Sequence, residues 1–453
     1  MSKRRIKTAR NPSDAQTRIV ITLKKINVIG GGLAGSECAL YLASKGYKVD
    51  LYEMKPKKKS PAHKLDGMCE LVCSNSLKSN LLTNACGLLK EEMRILGSKV
   101  IATADECKVP AGNALAVDRE LFSERVTKLI RAEENITVIE EEVSDIPEGR
   151  TVIATGPLTS EALLQKLSEL TGDFLHFYDA AAPIVTAESV DMSRAFFGDR
   201  YGKGDNDYLN CPMNKEEYLA FYEALILAES VTLREFEKGD LFEGCMPIEL
   251  MAKRGVDTMR FGPLKPVGFE KQTEKAYAIL QLRAENEEKT LFNLVGFQTN
   301  LTFPEQKRVF SMIPALKNAE FMRYGVMHKN TFIDSPKLLE LGCQLKANND
   351  IFFAGQITGV EGYVESAMSG MYAAMQIISL DSCGKLLSLS DKTVFGSLIR
   401  YISTENADFQ PMNANFGIVS YDHEKLKKLK KLDKYLAIAK VALAETEKLA
   451  RSL

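Results

Sequence analysis

The 453-residue sequence predicts an α/β protein: a Rossmann-like, doubly wound domain interrupted along the chain by an inserted α/β domain. Three stretches carry that expectation. They are KINVIGGGLAGSECALYLASKGYKVDLYE (25–53), GRTVIATGPL (149–158) and NNDIFFAGQITGVEGYVESAMSGMYAA (348–374).

The first stretch reads as a complete βαβ unit. Ile26 to Ile29 is a short apolar run with β-branched residues, as a buried strand requires. Gly30, Gly32 and Gly35 follow in G-x-G-x-x-G spacing, with Gly31, Leu33 and Ala34 between them. Gly30 permits a tight turn, Gly32 lets the backbone approach a pyrophosphate, and Gly35 lets helix and strand pack closely. Ser36 to Lys45 is helical in pattern, and Gly46 ends it. Lys48 to Tyr52 is a second strand closing on Glu53, a carboxylate placed to accept ribose hydroxyls. The helix N-terminus offers free N–H groups to phosphates. Strand, glycine loop, helix and terminal acid together predict a bound dinucleotide.

The second stretch is an apolar strand ending in Ala154-Thr155-Gly156, with Thr155 and Gly156 facing the same ligand. The third gives a strand (Ile351 to Phe353) and a loop holding Gly355, Gln356, Gly359 and Gly362. A helix of small residues then begins at Tyr363. Its N-terminus would face the ligand, and Tyr363 would stack on a ring or pack in the core. No second G-x-G-x-x-G follows, so a separate nicotinamide fold is not expected. The three segments favour FAD over NAD and the fold of the two-dinucleotide-fold flavoproteins.

Composition limits the alternatives. Hydrophobic content of 45% and charged content of 26% are ordinary for a globular chain. No apolar run approaches the length of a membrane span. The N-terminal MSKRRIKTARNPSDAQTR is basic and polar without a secretory apolar stretch, so a cytoplasmic protein is expected. Nine irregularly spaced cysteines, an odd number, fit reduced thiols better than a disulfide framework. Cys69 and Cys73 lack a second Cys/His pair, and no metal is expected. With a net charge of −1, any polyanion must be met by a local patch. Lys55, Lys57, Lys58, Lys59 and Lys64 form one such patch; Lys253, Arg254, Arg260 and Lys265 form another; KLKKLKKLDK (425–434) is the third. Each is by default a solvated face.

Longer motifs carry a resemblance. GGGLAGSECA, ELVCSNSLKSN, VPAGNALAVDR, RYGKGDNDYLNCPMNKEEY, FEGCMPIELMAKRGVDTMRFGPLKPVG, RYGVMHKNTFIDSPKLL, FFAGQITGVEGYVESAMSG and FQPMNANFG are among eleven matching segments between about Ile26 and Gly417. By these the chain resembles the bacterial folate- and FAD-dependent tRNA (uracil-5-) methyltransferases. That family is related to the glucose-inhibited-division-type tRNA-modifying flavoproteins. The resemblance implies methylenetetrahydrofolate as one-carbon donor, reduced FAD as carrier and reductant, and NADPH or NADH to re-reduce the flavin. The substrate it implies is the T-loop uridine of tRNA. Ribosomal RNA is the alternative substrate, and a flavin oxidoreductase without RNA is the alternative activity. The latter lacks a C-x-x-C redox pair in this sequence.

That chemistry needs two groups. C5 of uracil becomes nucleophilic when a thiolate adds at C6, and its proton must then leave to a base. The resemblance assigns these tasks to Cys73 in ELVCSNS and Cys245 in FEGCMPIE. It favours Cys245 as the uracil nucleophile and Cys73 as flavin-side thiol or base. Each cysteine is expected just ahead of a helix: Ser74, Asn75 and Ser76 read as N-caps, and Pro247 and Gly255 bracket PIELMAKR. A helix N-terminus lowers a thiol pKa below ~8.5. Cys38, Cys86, Cys107, Cys211, Cys343 and Cys383 are expected to be small buried hydrophobes, and Cys69 a packing substitution. His63, beside the lysine cluster, and His328, in RYGVMHKN, are the histidines placed to touch a ligand, with structural roles the commoner expectation.

The expected organisation is an N-terminal extension (1–23), a first FAD-domain part (24–178) and an inserted domain (179–289). A second FAD-domain part (290–440) and a helical tail (441–453) complete it. Residues 424–453 read as a basic helix. The two reactive cysteines would then meet across a hinge between domains.

Overall fold

The computed structural model describes residues 25–60, 62–202, 205–231, 246–269, 273, 276–341, 343–406 and 409–453. Its first sheet is built around β1 (Ile26–Ile29), buried at every position. The strand order is β16 (Gln344–Leu345), β17 (Asn348–Phe353), β7 (Thr151–Ile153), β1, β2 (Val49–Tyr52), β6 (Ile136–Ile139). All neighbours are parallel except the edge strand β16. Parallel strands covered on both faces read as unbroken apolar runs, which is why INVI, TVI and IFF were legible. One face packs under the helices Leu33–Ser44 and Tyr363–Cys383. The other is closed by Leu163, Leu167, Ile333, Leu339 and Ile357.

The helix Leu33–Ser44 starts three residues before the expected Ser36, because Gly30 to Gly32 alone complete the turn. Eleven of its twelve residues are buried. Gly35 already lies inside it: a Cβ there would sit 1.8 Å from the Gly30 carbonyl oxygen. Gly370 plays the same part for Tyr363–Cys383, where a Cβ would lie 2.0 Å from the Ala34 oxygen. Small residues therefore set the close approach of these two helices.

A second sheet is antiparallel throughout, in the order β10 (Phe196–Phe197), β11 (Tyr208–Met213), β12 (Ala278–Ala284), β13 (Leu291–Leu294), β9 (Ile184–Thr186), β14 (Phe321–Arg323). It has its own core, with Phe221, Phe297 and Phe310 in aromatic contact. The chain enters this unit through β8 (Leu175–Ala180) and leaves through β15 (Met327–Phe332). These two strands pair antiparallel from Met327↔Ala180 to Phe332↔Leu175. The expected break at 289 falls between β12 and β13, which are hydrogen-bonded neighbours; the sheet continues to Arg323.

A small third sheet, β3 (Ser76–Ser79), β5 (Ala114–Val117), β4 (Lys108–Val109), carries the segment after Cys73. This corrects the expected helix there. Ser74 does not cap a helix; its hydroxyl accepts from the Ser76 N–H at 3.1 Å in a turn leading into β3. Residues 424–453 form two helices, His423–Leu426 and Lys431–Ser452, rather than one, so the expected boundary at 440/441 cuts through the second. The longer one buries Ile438, Ala439, Ala442 and Thr446 and stacks Tyr435 on Phe416, with ring centroids 4.3 Å apart. No described helix is long and apolar enough to cross a membrane.

Candidate active site

The site is a pair of adjoining cavities at the C-terminal ends of the parallel strands, where ligands of open α/β sheets bind. The first, about 160 Å³, runs over the turn after β1. The second, about 250 Å³, holds Cys73. Val72, Pro157, Leu158, Gln356 and Tyr363 line both, so the two form one groove.

The glycine turn behaves as its spacing predicts. Gly30 has φ +105, and a Cβ on it would lie 2.6 Å from the Ala154 oxygen. The Gly31 N–H donates to Glu53 Oε2 at 2.7 Å, and Glu53 Oε1 accepts from the Lys55 N–H at 3.0 Å. Gly32 is the N-cap of the helix, no side chain caps it, and a Cβ built there meets nothing within 4 Å. The helix therefore presents uncapped N–H groups to open space, as a pyrophosphate needs. Leu33, Ala34, Glu53, Thr155 and Gly156 line the same cavity. Thr155 Oγ1 is 2.6 Å from Thr159 Oγ1, and Gly156 turns the chain at φ +68. This open helix end, with a carboxylate across the turn, fits FAD.

Four of the expected residues serve the frame instead. Gly31 and Gly35 shape the turn and the packing, as above. Gly355, at φ +85, donates its N–H to Ser369 Oγ at 2.6 Å. Gly359, at φ +84, leaves room for Phe409, whose Cζ would be 2.5 Å from a Cβ. Gln356 does face both cavities, and its amide donates to Glu361.

Tyr363 has a more specific place than ring stacking alone would give. Its hydroxyl oxygen accepts from the Cys73 N–H at 2.7 Å and the Ser74 N–H at 3.2 Å. Burial pushes its phenol pKa up, so it stays neutral at physiological pH. Cys73 itself is half-buried, with Sγ 3.9 Å from the Ala180 oxygen. Cys245 lies outside the described residues. The helix after it, Ile248–Lys253, has Pro247 as N-cap, and Gly255 follows its C-cap Arg254 at φ +146.

Several site residues escaped the sequence reading. Glu365, fully buried, lines the second cavity. Its Oε1 accepts from the Ala414 N–H at 2.9 Å and faces Lys78 Nζ at 3.6 Å; its Oε2 has no hydrogen-bond partner among the described residues. Arg119, Arg283 and Arg323 gather around the Cys73 loop. Two of them stand in the motifs quoted above, Arg119 closing VPAGNALAVDR and Arg323 opening RYGVMHKN, but spacing gives no sign that they meet. His63 lines the first cavity with its Nδ1 2.6 Å from Ser60 Oγ. Of His328, only the backbone, in β15, is described. Among the other cysteines, Cys38, Cys69, Cys86, Cys107, Cys211 and Cys343 are buried. Cys383 is exposed, against expectation, because it lies in the last turn of the helix Tyr363–Cys383 at the surface. Cys69 takes φ +53, and its N–H donates to the Gly31 oxygen at 3.0 Å, so it also braces the glycine turn.

Comparison with known proteins shows the family of the chain. The family model described as glucose inhibited division protein A matches residues 25–380. A methylenetetrahydrofolate--tRNA-(uracil-5-)-methyltransferase TrmFO of Bacillus licheniformis is 58% identical over 397 residues, covering 87% of this chain and 92% of the relative. The protein of the same name from Bacillus subtilis is 55% identical over 425 residues, covering 93% and 98%. Among solved structures, Aquifex aeolicus GidA superposes with a TM-score of 0.67 at 17% identity. It covers 94% of this chain and 74% of that one, a likeness of fold. The chain belongs to the glucose-inhibited-division-protein-A family and, within it, to the TrmFO methylenetetrahydrofolate--tRNA-(uracil-5-)-methyltransferases.

Proposed function

We propose that the protein methylates C5 of a uridine in tRNA, the T-loop uridine, with methylenetetrahydrofolate as one-carbon donor. The observation that carries this reading is the groove itself. An open, uncapped helix end over the glycine turn leads without a break to a cavity holding Cys73. When bound at the first cavity, reduced FAD would supply one-carbon carriage and the hydride that completes the methyl group. Gly32, the first turn of Leu33–Ser44 and Glu53 would hold its pyrophosphate and ribose.

The chain's own residues supply the rest. Cys245 adds to C6 of the uracil, and Cys73 takes the C5 proton. Tyr363 fixes the Cys73 backbone through two accepted N–H bonds. The Glu365 oxygen that has no hydrogen-bond partner among the described residues stands ready to accept an N–H from a heterocycle in the second cavity. NADPH or NADH is the reductant, and the cytoplasm, where folate and tRNA meet, is the site of action.

The test is incubation with FAD, NADPH or NADH, methylenetetrahydrofolate and unmodified tRNA. Nucleoside analysis should show 5-methyluridine, lost in Cys73→Ala and Cys245→Ala. A parallel ribosomal RNA transcript should stay unmodified. Absence of 5-methyluridine on tRNA would overturn the reading.

A further inference from the structure

Three guanidinium groups converge on the loop that carries Cys73. They come from distant parts of the chain: Arg119 begins the helix Arg119–Ala132, Arg283 lies on β12, and Arg323 ends β14. Each closes on a different atom. Arg119 Nη1 donates to the Leu71 oxygen at 2.7 Å. Arg323 donates to the Val72 oxygen. Arg283 donates through Nη2 to Ser74 Oγ at 2.7 Å and through Nε to Asn75 Oδ1 at 2.8 Å. With the Tyr363 hydroxyl on the N–H groups of Cys73 and Ser74, every residue from 71 to 75 is held by a side chain from elsewhere.

Holding the loop does not require charge; neutral amides would hold it without desolvating cations. Arg283 is only 7% exposed, and burying a guanidinium is costly unless a negative group repays it. Among the described residues the carboxylates nearby are largely committed. Glu285 pairs with Arg119 at 2.5 Å. Glu70 accepts the N–H groups of Lys64 and Leu65 and lies 3.9 Å from Lys55 Nζ. Glu361 takes the Gln356 amide, and Glu365 faces Lys78. Lys64 adds a further cation, its pKa lowered first by burial and then by Arg323. Three guanidinium groups thus close on the loop that carries one sulfur, with Lys64 near Arg119 and Arg323. Burial is the leading influence on all three arginines and opposes their charge; Glu285 is the leading favourable partner of Arg119 and Arg283, and a negative Cys73 is a further favourable partner of all three.

We propose that Arg119, Arg283 and Arg323 are positioning residues whose combined charge keeps the Cys73 sulfur a thiolate at neutral pH. The inference rests on the reading of Cys73 as a catalytic thiol. As base, the thiolate takes the C5 proton and forms S–H. The C5–H electron pair becomes the bond to an exocyclic methylene as the one-carbon carrier leaves; hydride addition to that methylene then restores the C5=C6 double bond and breaks the C6–S bond to the other cysteine, returning that thiolate.

The experiment uses the full-length, FAD-loaded protein and iodoacetamide. Alkylation of Cys73 is followed by mass spectrometry of its peptide from pH 5.5 to 9.5. In the wild type the rate should reach half its maximum well below the free-thiol value of about 8.5. Arg323→Gln should raise that midpoint by about one pH unit and slow alkylation roughly tenfold at pH values below both midpoints, and about two- to fivefold at pH 7. Arg323→Lys, which keeps the charge, should hold the midpoint near wild type. Circular dichroism establishes that each variant is folded. A wild-type midpoint at the free-thiol value, equal midpoints in wild type and Arg323→Gln, or Lys behaving like Gln would overturn the proposal. Failure of the catalytic reading is distinct: Cys73→Ala would still methylate tRNA while the wild-type alkylation midpoint stayed low.

Discussion

At the scale of single residues, Gly32 and Gly35 stand three apart in one motif and do opposite work. Gly32 has φ −72, which any residue adopts, and open space where a side chain would go. Gly35 has a carbonyl oxygen 1.8 Å from its would-be Cβ. Gly32→Val should therefore leave the fold intact and obstruct the ligand. A steric cost of about 1–3 kcal/mol corresponds to about five- to 160-fold in FAD affinity. Gly35→Ala should instead destabilise the protein by about 3 kcal/mol, the upper end for overpacking. Flavin fluorescence titration and thermal melts on both variants check this; a flavin-replete Gly32→Val would refute the assignment of that space to the cofactor. The glycines were legible because a turn and a close approach each demand a residue without Cβ. The surroundings of Cys73 were not, because the arginines that hold its loop stand at 119, 283 and 323, and only folding brings them together.

At the scale of elements, the segment after Cys73 shows where local chemistry misleads. Ser and Asn cap helices, but the same side chains make tight turns by bonding nearby backbone N–H groups. Here the turn leads into β3, and Asn75 staples three elements. Its amide donates to the Val117 oxygen on β5 at 3.1 Å and to the Ala284 oxygen on β12 at 3.0 Å, while its oxygen accepts from Arg283. Asn75 is fully buried. Asn75→Ala leaves two carbonyls and a guanidinium short of partners, at a cost of about 2–4 kcal/mol, since each unsatisfied buried group costs about 1–3 kcal/mol. Urea denaturation should show that loss; a change under 1 kcal/mol would mean that the third sheet is held by packing alone. The βαβ unit, by contrast, was legible to within three residues, since its parallel strands are apolar throughout and its helix ends at Gly46, φ +86.

At the scale of the whole molecule, two buried carboxylates join distant parts of the first domain, and nothing in their local sequence announces it. Glu37, on the helix Leu33–Ser44, caps the helix Lys99–Glu106. It accepts from Ser98 Oγ at 2.6 Å, the Lys99 N–H at 3.1 Å and the Val100 N–H at 2.9 Å. Glu92 caps the helix Val394–Ser403, accepting from the Val394 and Phe395 N–H groups at 2.9 Å each. The extent of the inserted unit was hidden for a related reason. Its entry and exit strands, β8 and β15, pair across about 150 residues, a long-range match that no local signal marks. Burial pushes the pKa of each carboxyl to about 7, against the opposing pull of these hydrogen bonds. In the unfolded chain the value is about 4.3. The folded state thus holds the proton more tightly. The stability tied to that proton is fully present below about pH 4.3 and is lost as pH rises through about 7. Between those limits each carboxyl accounts for on the order of 3 kcal/mol. Glu92→Gln cannot ionise, and its side-chain oxygen still accepts from the helix end. The variant should therefore lose less stability than the wild type on going from pH 5 to pH 8. Denaturant midpoints at the two pH values measure this directly. An identical pH slope in wild type and Glu92→Gln would show that Glu92 stays ionised throughout, with the two N–H bonds outweighing its burial.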